Sequence, residues 1–321
     1  DRKDHSLMTT PCSTGRISLV GIGPGSLDHM TPAARLAIVE ADTVIGYATY
    51  IKLIEPLLDG KAVIRRAMTE EIERALEALD QARQGRRVAL VCSGDAGVYG
   101  MAGPTYEVLF EAGWTPNSNI EVEVIPGASA LNSCAARVGA PLTHDFCAIS
   151  LSDLLTPWPV IARRLHAAAV ADFVVALYNP KSGRRGEQIV HAQAIFLAHR
   201  DPQTPVAIVK SAYRAKQRVE LATLADLAEC EIGMSSTVLI GNSHTFVRDG
   251  LMVTPRGYAD KYDVTSGEPR EGERRGRSLS TGLVGWRAAL REDTATPEVL
   301  AARFGLPEAY LRYVLSEPTS V

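Results

Sequence analysis

The sequence predicts an α/β protein with two dissimilar α/β domains and a small helical appendage. Three observations carry that expectation. Strand-like and helix-like segments alternate from Arg16 to about Tyr262, the pattern of an open, mostly parallel sheet covered by helices. Val88-Ala89-Leu90-Val91-Cys92 is an unbroken apolar run, as a central parallel strand buried on both faces requires. Glycine-rich loops end two strands of the first half, and the second half lacks the first half's loop, so the halves are not repeats.

The elements follow in order. Ile17-Ser18-Leu19-Val20 is a short β-rich run ending in glycines. Thr31 and Pro32 then supply an N-cap and a proline at the first helical position, for a helix reaching about Ala41. Thr43-Val44-Ile45 reads as a second strand. A strong helix begins near Thr69, with Ile72, Ala75, Leu76, Leu79 and Ala82 on one face and Gly85 as its stop. After the apolar run, Pro104 opens another helix, and the strand 121–125 is closed by Pro126-Gly127.

In the second half, strands are expected near 148–151, 173–178, 205–210 and 237–240. Helices are expected near 160–169 and 187–199, with a shorter one near Leu224. Residues 16–126 should form the N-terminal domain and 127–262 the C-terminal one, with 263–321 a linker and helical extension. Gly267 to Arg277 is rich in Gly, Glu and Arg and reads as flexible. Beyond it, 298–304 and 308–315 look like two short helices broken by Gly305-Leu306-Pro307. A helix-turn-helix is conceivable there. A docking appendage is favoured, because the segment is too short to carry its own core. Residues 1–15 are expected to be disordered or foreign to the natural chain, with Met8 the natural start.

Composition narrows the function classes. The chain has 321 residues, 46% hydrophobic and 22% charged, with net charge -3, which argues against a globally basic nucleic-acid binder. Cys12, Cys92, Cys134, Cys147 and Cys230 share no metal-ligand spacing, so no metal is expected. They read as reduced thiols of a cytoplasmic protein. No apolar run approaches the length of a membrane span.

Gly21-Ile22-Gly23-Pro24-Gly25 invites a dinucleotide-binding reading. Two details oppose it. Ser26 stands where the fingerprint has its third glycine, and Ser26 to Met30 intervene before the helix. The acid that should bind a ribose is also missing, since Asp42 precedes the second strand instead of ending it. Alone, this loop is equally a ligand cradle or a bare turn. A second loop, Ser93-Gly94-Asp95-Ala96-Gly97-Val98-Tyr99-Gly100, follows the buried run at the same sheet edge. Asp95 there could face a ligand or cap the turn. Two loops converging on one crevice favour a binding site.

Gly21 to Gly25 with Leu27 and Thr31, and then Ser93 to Gly100, resemble the two signatures of the tetrapyrrole methylases. The resemblance runs from about Ile17 to Tyr262 and leaves out the tail. It implies two α/β domains with a cleft between them, S-adenosylmethionine as methyl donor, and a homodimer. Residues 93–103, 150–158, 177–182 and 241–243 further resemble the branch of that family that methylates a precorrin at carbon 17. That branch contracts the ring in cobalamin biosynthesis, taking precorrin-3B to precorrin-4 or acting on the cobalt-containing equivalent. Which of the two is used stays open in the sequence. Carried over, the donor pocket comprises Pro24, Ser93, Gly94, Asp95, Val98, Ser129, Ala130, Asn179, Ala212 and Thr237. Asn179 departs from the methionine of many relatives.

A precorrin carries many carboxylate arms, so its site should be a cationic groove. Arg184, Arg185, Lys210, Tyr213 and Arg214 lie after strands that face the implied cleft, and arginine suits bidentate carboxylate capture. A solvated basic surface is the competing reading for each residue. Methyl transfer mainly needs alignment and exclusion of water. Ring contraction calls for proton transfer, with Asp153 first among candidates, then His144 and Lys181. The rivals are a methylase acting at another carbon, a nicotinamide-dependent oxidoreductase resting on the first glycine loop, and a regulator with a DNA-reading tail.

Overall fold

A computed structural model describes residues 14–183 and 185–316. The expectation for the N-terminal segment falls, up to residue 13, outside the described residues. The chain divides into two compact units, one ending at Thr254 and one beginning at Pro255.

The first unit holds two five-stranded sheets. The N-terminal sheet comprises β1 (Gly15–Gly21), β2 (Thr43–Tyr47), β3 (Ala62–Arg66), β4 (Arg87–Cys92) and β5 (Ile120–Ile125), in the order β3-β2-β4-β1-β5. All its pairings are parallel, with β4 central as its apolar run requires. Four helices connect the strands: α1 (Pro32–Glu40), α2 (Ala48–Leu53), α3 (Glu71–Arg83) and α4 (Ala102–Glu111). Thr31 caps α1 as expected, its hydroxyl accepting the Ala34 N–H at 3.1 Å.

Successive strand residues point to opposite faces, so Leu19, Val88 and Leu90 pack with α3 and α4. Val20, Ala89 and Val91 pack on the other face with Ala34, Ile38 and Ile51. Each such large apolar side chain contributes about 1.5–3 kcal/mol on burial. The α3 stripe differs from expectation. Ala75, Ala78, Leu79 and Ala82 are buried with Arg74, whereas Ile72 and Leu76 are each 48% exposed. The small alanines let α3 approach the sheet closely, and the two bulky residues flank the contact.

The second sheet comprises β7 (Phe146–Ser150), β8 (Val174–Tyr178), β9 (Pro205–Lys210), β10 (Arg218–Thr223) and β11 (Ser236–Ile240), in the order β10-β9-β11-β8-β7. Only β7 and β8 pair in parallel; β11 runs against both β8 and β9, and β10 against β9. An apolar run such as 237–240 carries no direction, which is why the antiparallel strands were not foreseen. Helices α6 (Trp158–Val170) and α7 (Gln188–Leu197) cover one face. Helix α5 (Ala130–Val138) covers the other through Cys134, Ala135 and Val138. The segment near Leu224 is a 3-10 turn, Leu224–Glu229. A small sheet joins β6 (Gly139–Ala140), β12 (Phe246–Arg248) and β13 (Leu251–Val253).

The second unit contains α8 (Tyr258–Lys261), α9 (Leu283–Glu292), α10 (Pro297–Phe304) and α11 (Glu308–Ser316). Residues 267–277 form no helix or strand, and local bonds such as Arg270 N–H to the Lys261 carbonyl hold them. The appendage does carry a core, contrary to expectation. Leu290 of α9 joins Leu300, Ala301, Leu311 and Val314 in a buried cluster with Trp286 against it. The unforeseen third helix makes that cluster possible. No helix among the described residues is long and apolar enough to cross a membrane.

Candidate functional site

The carboxyl ends of β1 and β4 meet through glycines. Gly23 and Gly94, at φ +71 and +70, exchange backbone hydrogen bonds of 3.0 and 2.8 Å. This pairing locks the two glycine loops side by side. A Cβ on Gly127 would lie 2.2 Å from the Gly94 oxygen and 2.6 Å from the Gly21 oxygen. Three chain segments therefore cross where only glycine fits.

Asp95 fastens the crossing. Its carboxylate accepts the Gly97 N–H at 2.7 Å and the Gly127 N–H at 3.0 Å. Both oxygens are thus engaged in holding backbone, and Asp95 is not among the residues lining the cleft.

The chain enters α5 just past this crossing, and the second sheet supplies the cap. The Tyr178 hydroxyl, at the end of β8, accepts the Leu131 N–H at 2.8 Å and lies 2.5 Å from the Ser129 hydroxyl. The neighbouring Tyr99 reaches the Ala148 carbonyl at 3.1 Å, with its ring centroid 4.8 Å from that of Tyr178. Burial raises the pKa of Tyr50, Tyr99 and Tyr178 above the ordinary phenol value, so all three stay protonated.

Together these elements enclose a cleft of about 500 Å³, within the usual range for small-molecule sites. Pro24, Ser93, Gly94, Val98, Ser129, Ala130, Asn179, Ala212 and Thr237, all anticipated for a donor pocket, line it. Tyr47, Thr49, Tyr50, Met68, Tyr99 and Tyr178 also line it and were not foreseen. Tyr47 and Tyr178 end strands β2 and β8, the one signal that could have found them. Cys134 lines it as a neutral thiol, its pKa pushed up to about 11 by burial. No described aspartate or glutamate faces the cleft.

Non-glycine residues with positive φ gather here. Tyr99, Asn179 and Ser211 line the cleft at φ +52, +49 and +51, and Tyr213 follows at +60. Such conformations cost free energy and concentrate at ligand sites. Asn179 is further held by a 3.0 Å bond from its amide to the Ser150 hydroxyl.

The expected substrate-side cations separate. Lys210 and Arg214 line the cleft, with Lys210 lying 3.9 Å from Glu231. Tyr213 instead stacks on His29 at 4.0 Å, with the Arg137 guanidinium 5.1 Å from its ring. Arg185 donates to the Leu151 and Asn179 carbonyls and does not line the cleft. Arg184 lies outside the described residues. Of the proton-transfer candidates, none lines the cleft. Asp153 accepts the Gln188 amide at 2.8 Å, His144 accepts the Asp145 N–H at 2.7 Å, and Lys181 sits after β8.

A parallel and a mixed sheet facing one cleft through glycine loops define a class of small-molecule-binding α/β proteins. Residues 16–228 match the family described as Tetrapyrrole (Corrin/Porphyrin) Methylases. The chain is 50% identical over 315 residues to a protein named cobalt-factor III methyltransferase from Priestia megaterium, spanning 58% of that relative's length. It is 48% identical over 242 residues to a probable cobalt-factor III C(17)-methyltransferase of Salmonella typhimurium, spanning 99% of it. The crystal structure of the methyltransferase CobJ superposes with a TM-score of 0.71 at 35% identity, covering 75% of this chain and all of that one. A Thermus thermophilus uroporphyrin-III C-methyltransferase, complexed with S-adenosylhomocysteine, superposes with a TM-score of 0.57 at 25% identity over 71% of this chain and 97% of that one. The chain belongs to the tetrapyrrole methylases.

Proposed function

We propose that this chain is an S-adenosylmethionine-dependent C-methyltransferase of cobalamin biosynthesis. It acts on carbon 17 of a cobalt-containing tetrapyrrole, with ring contraction. The cobalt-factor III named in the relatives favours the cobalt-loaded substrate over the metal-free one. The observation that carries the reading is the cleft itself: glycine loops locked at Gly23 and Gly94, opening onto small and hydroxyl-bearing side chains.

The residues present fit the donor. Gly94, Ala130 and Ala212 leave room for a flat nucleoside against backbone, and Ser93, Ser129, Asn179 and Thr237 offer hydrogen bonds. Bound S-adenosylmethionine supplies an electrophilic methyl group on a sulfonium. The chain orients the reactants and excludes water, effects worth up to roughly 7–11 kcal/mol. Asp95 acts one layer back, fixing the two loops that form the floor. Of the residues expected to meet the carboxylate arms, Lys210 and Arg214 line the cleft and take that role here, whereas Arg185 and Tyr213 are engaged elsewhere. Asp153 and Lys181, in the loops after β7 and β8, and His144, just before β7, are the groups proposed to move protons during ring contraction. We also propose domains of 16–126 and 127–262, a homodimer, and a cytoplasmic location.

Two experiments test this reading. Asp153→Asn should keep its affinity for S-adenosylhomocysteine while slowing ring contraction; unaltered turnover removes Asp153 from the mechanism. Incubation with cobalt-factor III and S-adenosylmethionine should give a methylated, ring-contracted product. A methylated macrocycle that is not contracted would instead favour a methylase acting at another carbon.

A further inference from the structure

Arg214 is the only described cleft-lining cation without a carboxylate within 4 Å. It is half-buried, and burial lowers its pKa, although a guanidinium remains charged. Two of its N–H groups are committed. Nε donates to the Pro24 carbonyl at 2.6 Å, and Nη2 donates to the Ser93 hydroxyl at 3.1 Å. One side chain from the second sheet thus fastens both glycine loops of the first.

Its seat is built for it. A Cβ on Gly25 would come within 2.8 Å of Arg214 Nε, so the absence of a side chain at Gly25 admits the guanidinium. The loop carrying it turns through Ser211 and Tyr213 at positive φ. The Ser211 N–H bonds the Ser235 carbonyl at 3.2 Å, and the Gln217 side chain accepts the Tyr213 N–H at 2.8 Å.

The remaining donors are the two on Nη1 and one on Nη2. They form the forked end of the guanidinium, which matches a carboxylate. No acceptor takes Nη1 among the described residues, and no described acid faces the cleft. A partly desolvated charge of this kind is costly unless it is paired.

We infer that Arg214 both pins the two glycine loops and receives a ligand carboxylate on its forked Nη1/Nη2 edge, which rests on the methyltransferase reading above. The carboxylate comes either from the amino-acid tail of the donor or from an acetate or propionate arm of the tetrapyrrole. Three probes separate these sources: S-adenosylhomocysteine, 5′-methylthioadenosine (the same nucleoside thioether without the amino-acid tail), and cobalt-factor III.

Calorimetry on the full chain compares wild type with Arg214→Gln and Arg214→Lys. A donor-tail contact predicts that Arg214→Gln loses about tenfold to hundredfold more affinity for S-adenosylhomocysteine than for methylthioadenosine, the loss common to both reading the latch. A substrate-arm contact predicts that excess loss for cobalt-factor III instead, with the two thioethers weakened only by the smaller amount the latch accounts for. Arg214→Lys keeps the charge without the fork and should lose less, and it carries the same comparison if the glutamine variant fails to fold. Equal weakening of all three probes indicates a purely structural latch and overturns the inference. Unchanged affinity for all three probes overturns it too. A wild-type chain that binds neither thioether sinks the methyl-donor reading itself, a separate result.

Discussion

Gly127→Ala tests the glycine crossing that shapes the cleft. The added Cβ would lie 2.2 Å from the Gly94 oxygen and 2.6 Å from the Gly21 oxygen, both rigid backbone. Ordinary contact begins at 3.4 Å, so the segments must part by about 1 Å. Overpacking of this kind costs about 1–3 kcal/mol. The Gly127 N–H also moves away from Asp95, which forfeits much of a charge-assisted bond worth about 1.5–3 kcal/mol. The expected loss is about 3–5 kcal/mol, a large share of the 5–15 kcal/mol available to a typical domain. Urea unfolding would report it as a lower midpoint, and calorimetry would show weakened S-adenosylhomocysteine binding. Gly103→Ala is the counterpart. Gly103 lies in α4 with nothing within 4 Å of its Cβ position, so that variant should gain about 0.5–1 kcal/mol. A Gly127→Ala protein within 0.5 kcal/mol of wild type, on the scale of a neutral surface change, would refute the crossing as a constraint.

Further outcomes follow from other residues. Buried Arg200 donates to the Gly241, Ala168 and Phe173 carbonyls at 2.6, 3.0 and 2.5 Å, so Arg200→Met should cost about 3–5 kcal/mol, read as a fall in Tm. The Arg87 side chain and N–H hold the Asp42 pKa below its ordinary value. That contribution is fully present above the unfolded aspartate pKa of about 3.9 and fades as pH falls through the folded value. Wild type should therefore exceed Asp42→Asn in stability at neutral pH, by a margin kept small because the pair is exposed, and converge with it in acid. Cys134, protonated with its pKa near 11 and 4% exposed, should resist iodoacetamide at neutral pH in the native state, as peptide mass analysis would show.

Much of the architecture was legible because local signals agreed with it. The Thr31-Pro32 start, the run ending at Cys92 and the loops at Gly21 and Ser93 all lie where periodicity and glycine placed them. What stayed hidden depends on segments distant in the chain. Asp95 reads as a ligand contact until Gly127, 32 residues on, is seen donating to it. Tyr178 gives no sign in sequence that it caps a helix 47 residues earlier. Tyr213 and Arg214 are neighbours with one composition signal, yet one turns to His29 and the other to Pro24. Helix α9 escaped notice because Gly285 weakens its helical signal and Leu283 and Val284 face solvent.

The central claim is that the cleft transfers a methyl group from S-adenosylmethionine to carbon 17 of a cobalt tetrapyrrole. Its most direct test is incubation of the full chain with cobalt-factor III and donor carrying a carbon-13 methyl group. Carbon NMR of the product should show the label on a quaternary ring carbon at position 17, with the macrocycle contracted. Label at another carbon, or an unlabelled macrocycle, would contradict the account.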